Sequence, residues 1–264
     1  MTNTVTQEAV ASVGWLGADS LLAGLKRVNL FCGGYGSGKT EVAVNFALHL
    51  ARAGRKVSIA DLDIVNLYFR SREVRAELRR HGVEVLVPGE ALVNADLPII
   101  TPEVKGAIDR PAGYLVLDLG GDPVGAKVMA SLAQGMDWND YSGFVVLNSR
   151  RPKTNTVAGA KQLIEDLEAS ARVPVTGIVV NSHLIEETAG SVVEEGISLA
   201  EEVARVTGRG IAFVVVERQV LTKFGYSANG VPASWCRYPV MVLDRLMLKP
   251  WEQSNWLGKY RIGI

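Results

Sequence analysis

The stretch FCGGYGSGKTE, residues 31–41, sets glycines at 33, 34, 36 and 38 ahead of a lysine at 39 and a threonine at 40. The spacing Gly33-x-x-x-x-Gly38-Lys39-Thr40 is that of a loop that wraps phosphate. Curling a chain around a polyanion requires backbone N–H groups to point inward with no Cβ in the way, and glycine permits both. A helix that starts where the loop ends adds the positive end of its dipole. An ammonium group at 39 is a mobile point charge for the outer phosphates, and a hydroxyl at 40 is an oxygen ligand of the kind Mg2+ prefers. The stretch therefore predicts a nucleoside triphosphate site. Gly33, Gly34, Tyr35, Gly36, Ser37, Gly38, Lys39, Thr40 and Glu41 lie along the nucleotide, Lys39 also serves catalysis, and Thr40 is a metal ligand.

The flanks of this loop have the context the motif needs. VNLFC, residues 28–32, is a short apolar run suited to a strand buried on both faces. TEVAVNFALHLARAG follows as a helix, with Val42, Phe46 and Leu50 on one face and Gly54 as its stop. Further outward, strands are predicted at 56–63, 83–89, 113–122, 142–149, 175–183 and 210–218. Helices lie between them: a charged one near 71–80, one with Val157, Ala160, Ile164 and Leu167 sharing a face, and a long one ending near Gly208. Near-continuous Val/Ile/Leu strands alternating with helices predict an α/β fold, three-layered and doubly wound around a mostly parallel sheet. Residues 28–264 read as one nucleotide-binding domain, including a C-terminal helix and tail. Residues 1–27 read as an extension packed on it, with WLGADSLLAGLKRV as an amphipathic helix.

In such a sheet ligands sit at the carboxyl ends of the strands, and polar residues collect there: Asp61, Asp63, Asp118, Asn148, Asn181 and Glu217. Asp61 and Asp63 are two apart on an extended segment, so their carboxylates point the same way, toward magnesium or the attacking water. Asp118 closes the apolar run YLVLD, where an ionised group is costly unless it meets a cation or donors. Asp61 and Asp118 are the expected metal residues beside Thr40. Asn181 carries the donors and acceptor that a purine edge needs, or is a turn former. The chain continues Asn181-Ser182-His183-Leu184, without the Asn-Lys-x-Asp carboxylate that would read guanine, which favours ATP over GTP.

Composition narrows the class. Hydrophobic residues make up 48% of the 264, enough for a large core. Lys plus Arg and Asp plus Glu both number 28, so no basic footprint marks a nucleic-acid binder, and RSREVRAELRR and SRRPK are local patches only. The arginines of the first patch read as a solvated helix face. Cys32 and Cys236 are too few and too far apart for a disulfide framework or a four-cysteine zinc site, which fits a cytoplasmic protein. No apolar run approaches the roughly 20 residues that span a bilayer, so no stable membrane insertion is expected. His49, His81 and His183 stand apart from one another and read as surface or packed residues.

The order of these parts resembles the MinD/ParA-type ATPases, part of the SIMIBI class of P-loop proteins. The P-loop, DLD, DLGG, VVLNSRRPKTNTVAGAKQL, VVN and VVERQVLTKFGYSANGVP carry the resemblance over residues 28–235. It implies ATP and Mg2+ as cofactors, slow hydrolysis as a switch, a nucleotide-dependent homodimer and a client protein the sequence does not name. By position it implies that Lys39 holds the β- and γ-phosphates, Asp63 positions the water, Asp118 is the Walker-B aspartate, Asn181 reads adenine, and Glu217 and Arg218 flank the base. The chain departs from that pattern at Gly34, where the family's deviant loop has a lysine that reaches into the partner; the loop here is of the standard kind. Arg70 and Arg72 are the nearest arginines that could take its place. Gly125 stands where iron-protein relatives carry a cluster cysteine, so no iron–sulfur cluster is expected. Trp251 and Trp256 of the tail read as packed residues. Two other functions fit the same loop: a small-molecule kinase or ligase of the dethiobiotin-synthetase type, and a partner protein that holds nucleotide for stability.

Overall fold

The computed structural model describes residues 15–16, 19–62, 72–86, 102–110, 112–120, 129–133, 136–223 and 236–246. Asp63, Arg70, Gly125, Trp251 and Trp256 lie outside them, and of Arg72 only the backbone is described.

The predicted strands form, with shorter bounds: β2 (Val28–Cys32), β3 (Val57–Asp61), β4 (Glu84–Leu86), β5 (Tyr114–Asp118), β6 (Tyr141–Leu147), β7 (Gly177–Val180) and β8 (Ile211–Glu217). Two more flank them in the chain, β1 (Trp15–Leu16) and β9 (Val240–Leu243). Among the described residues these make one sheet in the order β1-β9-β8-β7-β6-β2-β5-β3-β4. Strands β2 to β9 run parallel, and β1 closes the edge antiparallel to β9.

Helices cover both faces, as a parallel sheet of apolar strands requires. Helices α1 (Asp19–Ala23), α2 (Lys39–Arg52) and α3 (Arg72–Arg80) pack one face, through Leu21, Phe46, Val74 and Leu78 among others. Helices α4 (Pro102–Asp109), α5 (Val157–Ala171) and α6 (Gly190–Thr207) pack the other through Ile108, Ile164 and Val203, joined by α7 (Arg218–Lys223) through Leu221. The apolar faces read from sequence bury as expected: Val42, Phe46 and Leu50 on α2, and Ala160, Ile164 and Leu167 on α5. The long helix α6 stops at Gly208, at φ 71°.

One expectation is corrected. WLGADSLLAGLKRV is not one helix: Trp15 pairs with Met241 in the sheet, and helix is confined to Asp19–Ala23. The indole is 2% exposed, with ring centroids 5.2 Å from Phe213 and 5.8 Å from Phe46. Burying an aromatic of that size outweighs the weak helix propensity of a segment interrupted by Gly17.

Strand β9 is held by a polar row that the apolar reading of α2 passes over. Glu41, Asn45 and His49 recur every four residues on α2. Glu41 Oε1 accepts from Leu246 N at 2.5 Å, and Asn45 bonds both N and O of Asp244 at 2.9 and 3.0 Å. His49 Nε2 lies 2.7 Å from Val242 O. Four residues of helix rise about 6 Å and two residues of strand about 6.6 Å, so the two rows stay in step. This row places residues 242–246 beside the start of α2.

Candidate functional site

The loop predicted to hold phosphate lies between β2 and α2. Gly38 caps the helix at φ 81°, ψ 18°, and a Cβ there would stand 2.4 Å from Asn181 Nδ2. At Gly33 a Cβ would meet Val146 O at 2.7 Å and Ser37 Oγ at 2.8 Å. With glycine as cap, the cap residue puts no side chain over the first turn of α2, the end of a helix that favours an anion. Ser37 N bonds Gly34 O at 3.1 Å and closes the turn. Lys39 is buried at the start of the helix, whereas Tyr35 is 80% exposed at the tip of the loop.

Two side chains from other strand-end loops grip this loop. Asn181, one residue past β7, donates from Nδ2 to Ser37 O at 2.8 Å. Arg151, in the turn after β6, donates from Nε to Gly36 O at 2.9 Å. Asn148 joins those two loops to each other. Fully buried, it accepts at Oδ1 from Arg150 N at 2.9 Å and from His183 N at 3.4 Å, and donates from Nδ2 to His183 O at 3.3 Å.

On the other side of the loop stand the carboxylates. Strand β5 lies between β2 and β3, with Phe31 opposite Asp118 and Asp61 opposite Asp118. Side chains at register-paired positions project to the same face, with strands about 4.8 Å apart. Asp118 is fully buried and Asp61 partly so. Cys32, which donates to Phe144 O at 3.4 Å, reports the charges nearby. Burial chiefly pushes its thiol up to about 12, with Glu168 and Asp118 adding and Lys39 opposing. Asp61 and Asp118 are carboxylates at one level of the sheet, and with the Thr40 hydroxyl in the first turn of α2 they are hard oxygen donors of the kind that suits Mg2+.

Beside Gly38 opens a cavity of about 200 Å³. Ile185, Val215, Val216 and Leu243 give it apolar walls, and Asn181, His183, Glu217 and Arg245 its polar edge. Burial foremost raises the Glu217 carboxyl, against Arg245 and Lys223. Burial, then Arg151 and Arg245, lower the His183 imidazole to about 4, so it is neutral at pH 7. Glu41 lines the same cavity. Arg218 instead meets Asp244, Nε to Oδ1 at 2.6 Å and Nη2 to Oδ2 at 3.0 Å.

The structure thus brings together residues 33–41, Asp61, Asp118, Asn181 and Glu217, and pairs Arg218 with Asp244. In the sequence Arg151 shows only as part of a basic patch and His183 only as an isolated ring, and nothing there marks Arg245. Arg151 and His183 both follow predicted strands at the carboxyl edge, which is the signal that points to them.

Among known proteins, the CobQ/CobB/MinD/ParA nucleotide binding domain family matches residues 33–222. The chromosome-partitioning ATPase Soj of Thermus thermophilus is 36% identical over 100 residues, 35% of this chain; the chain spans only 39% of that relative's length. The crystal structure of cell division protein FtsY from Thermotoga maritima superposes with a TM-score of 0.51 at 19% identity. That superposition covers 86% of this chain and 73% of FtsY, and the likeness is one of fold.

Proposed function

The chain belongs to the CobQ/CobB/MinD/ParA nucleotide binding domain family, and we propose that it is a cytoplasmic, Mg2+-dependent ATPase of slow turnover that acts as a regulatory or assembly switch. The observation that carries this reading is the pairing of Asp61 with Asp118 at the level where β2 hands over to the phosphate loop. A loop alone binds polyphosphate; two carboxylates beside it prepare for a divalent cation.

The residues divide the work by position. Main-chain N–H groups at the start of α2 and the Lys39 ammonium take the phosphate tail. Thr40, Asp61 and Asp118 would hold Mg2+, which when bound offsets charge on the outer phosphates. The cavity beside Gly38 takes the base. Its apolar walls suit a purine face, and Glu217 at its polar edge offers carboxylate oxygens that accept from the amino group of adenine. Asn181, already tied to Ser37 O, adds its remaining amide hydrogen and oxygen to the same edge.

The test is size-exclusion chromatography with light scattering at millimolar magnesium, beside calorimetry with ATP, GTP and a non-hydrolysable ATP analogue. A dimer with the analogue, a monomer with ADP, and loss of triphosphate binding in Lys39→Ala are expected. One mass in every nucleotide state removes the switch reading. Fast turnover that appears only when a metabolite is added points to a kinase or ligase instead.

A further inference from the structure

We propose that Arg151 is a positioning residue that sets the shape of the phosphate loop from outside, without touching the nucleotide. This inference rests on the nucleotide reading above and adds to it a residue in a different loop, 115 positions from its partner.

The argument starts from the trans peptide, in which C=O and N–H of one plane point opposite ways. The carbonyl of Gly36 is drawn out to Arg151 Nε at 2.9 Å, and the N–H of the same peptide, on Ser37, points across the loop to Gly34 O at 3.1 Å. The next carbonyl, Ser37 O, is drawn out to Asn181, which turns the N–H of Gly38 inward in the same manner. Two consecutive oxygens tied outward therefore turn two consecutive N–H groups inward, that of Ser37 onto Gly34 O and that of Gly38 toward the cradle. Bonds within the protein hold this shape, so anion binding does not have to impose it.

Arg151 is built to hold still. Its own N–H bonds Asn148 O at 3.1 Å, and its carbonyl accepts from Thr154 N at 2.9 Å. Thr154, 2% exposed, adds a hydroxyl bond to Asn148 O at 2.6 Å. The guanidinium lies close against Gly36: a Cβ at that position would stand 3.0 Å from Nε and 3.3 Å from Cζ, on a backbone at φ 74°. Glycine at 36 thus leaves room for the arginine as well as for the turn.

Two variants separate the bond from the packing: Arg151→Lys keeps a donor, and Arg151→Met keeps an unbranched chain over Gly36 without one. Calorimetry with Mg-ADP and with a Mg-bound non-hydrolysable ATP analogue is expected to show Arg151→Met weakened on the order of tenfold or more for both ligands by the same factor. Arg151→Lys should remain within about fivefold of the parent. Amide hydrogen exchange of residues 34–38 in the nucleotide-free protein should quicken in Arg151→Met only, with the thermal midpoint unchanged. Equal affinities for Lys and Met variants would overturn the proposal, as would a loss confined to the triphosphate, which would mean direct contact with the terminal phosphate. If the parent chain binds no nucleotide, the nucleotide reading fails, and the exchange measurement still decides the role of Arg151.

Discussion

Asp61 and Asp118 are register partners on the neighbouring parallel strands β3 and β5, at the edge from which the phosphate loop departs. One is partly exposed and the other fully buried. A buried carboxylate at such a place is costly to keep ionised without a cation or donors in range, and the proximity of Lys39 and Asp118 to Cys32 puts both charges in one neighbourhood.

Replacing Asp118 by Asn removes the charge and keeps the shape. Affinity for nucleotide in excess chelator is expected to stay within about twofold, while the magnesium needed for half-maximal tightening rises on the order of tenfold or more. Calorimetric titration at a series of magnesium concentrations reads both quantities.

Gly38→Ala would drive a methyl group to 2.4 Å from Asn181 Nδ2 on a backbone at φ 81°. The strain is expected to lower stability by about 1–3 kcal/mol, a fall of several degrees in Tm at this chain length. The Asn181 latch would be displaced with it, so nucleotide affinity should fall by more than tenfold. Scanning calorimetry and a binding isotherm on the same sample test the pair.

The buried rings make the fold sensitive to acid. His49 is held neutral, its imidazole lowered to about 4 by burial above all, with a bond to Val242 O working the other way. Unfolded, it takes up a proton near pH 6.5. The unfolded state therefore binds more protons between the two values, and stability falls as pH drops from 6.5 toward 4. The loss from His49 is on the order of 3 kcal/mol, and His183, also lowered to about 4, adds to it in the same direction. Urea unfolding at pH 7, 5.5 and 4.5 is expected to show the decline, and His49→Gln should flatten it.

Arg218, which the family resemblance sets beside the base, is paired with Asp244, whose carboxyl it pulls below the usual range. Its side chain is 45% exposed, so the ion pair contributes at most about 1 kcal/mol. Arg218→Ala should change nucleotide affinity less than threefold, whereas Glu217→Ala, which empties one side of the cavity, should change it more. Parallel calorimetric titrations compare them.

Legibility in the sequence followed the range of the interaction. The run from Val28 to Arg52 could be read because strand, loop and helix are specified by neighbours: apolar residues, then glycines, then a four-residue apolar repeat. Strand β9 was missed because VMVL is too short to show a period, and what fixes it is a row of bonds from Glu41, Asn45 and His49 some 200 residues away. Trp15 was misread for a related reason: its partners Phe46 and Phe213 come from distant elements. Arg151 reads only as part of a local basic patch because nothing nearby reveals that Gly36 O, 115 positions earlier, accepts from it.

By itself the sequence determined that a phosphate cradle opens a helix, that strands alternate with helices, and that carboxylates and amides fall at the strands' carboxyl ends. Those properties follow from covalent spacing and local backbone preference, which act over a few residues. Only the tertiary structure decided that β5 lies between β2 and β3, so that Asp118 meets Asp61, and that Arg151 and Asn181 reach the same loop from two other strands. Strand order and side-chain meeting points come from packing two helical layers on one twisted sheet, and that choice is made by contacts between distant segments, 57 positions apart for Asp61 and Asp118 and 144 for Asn181 and Ser37.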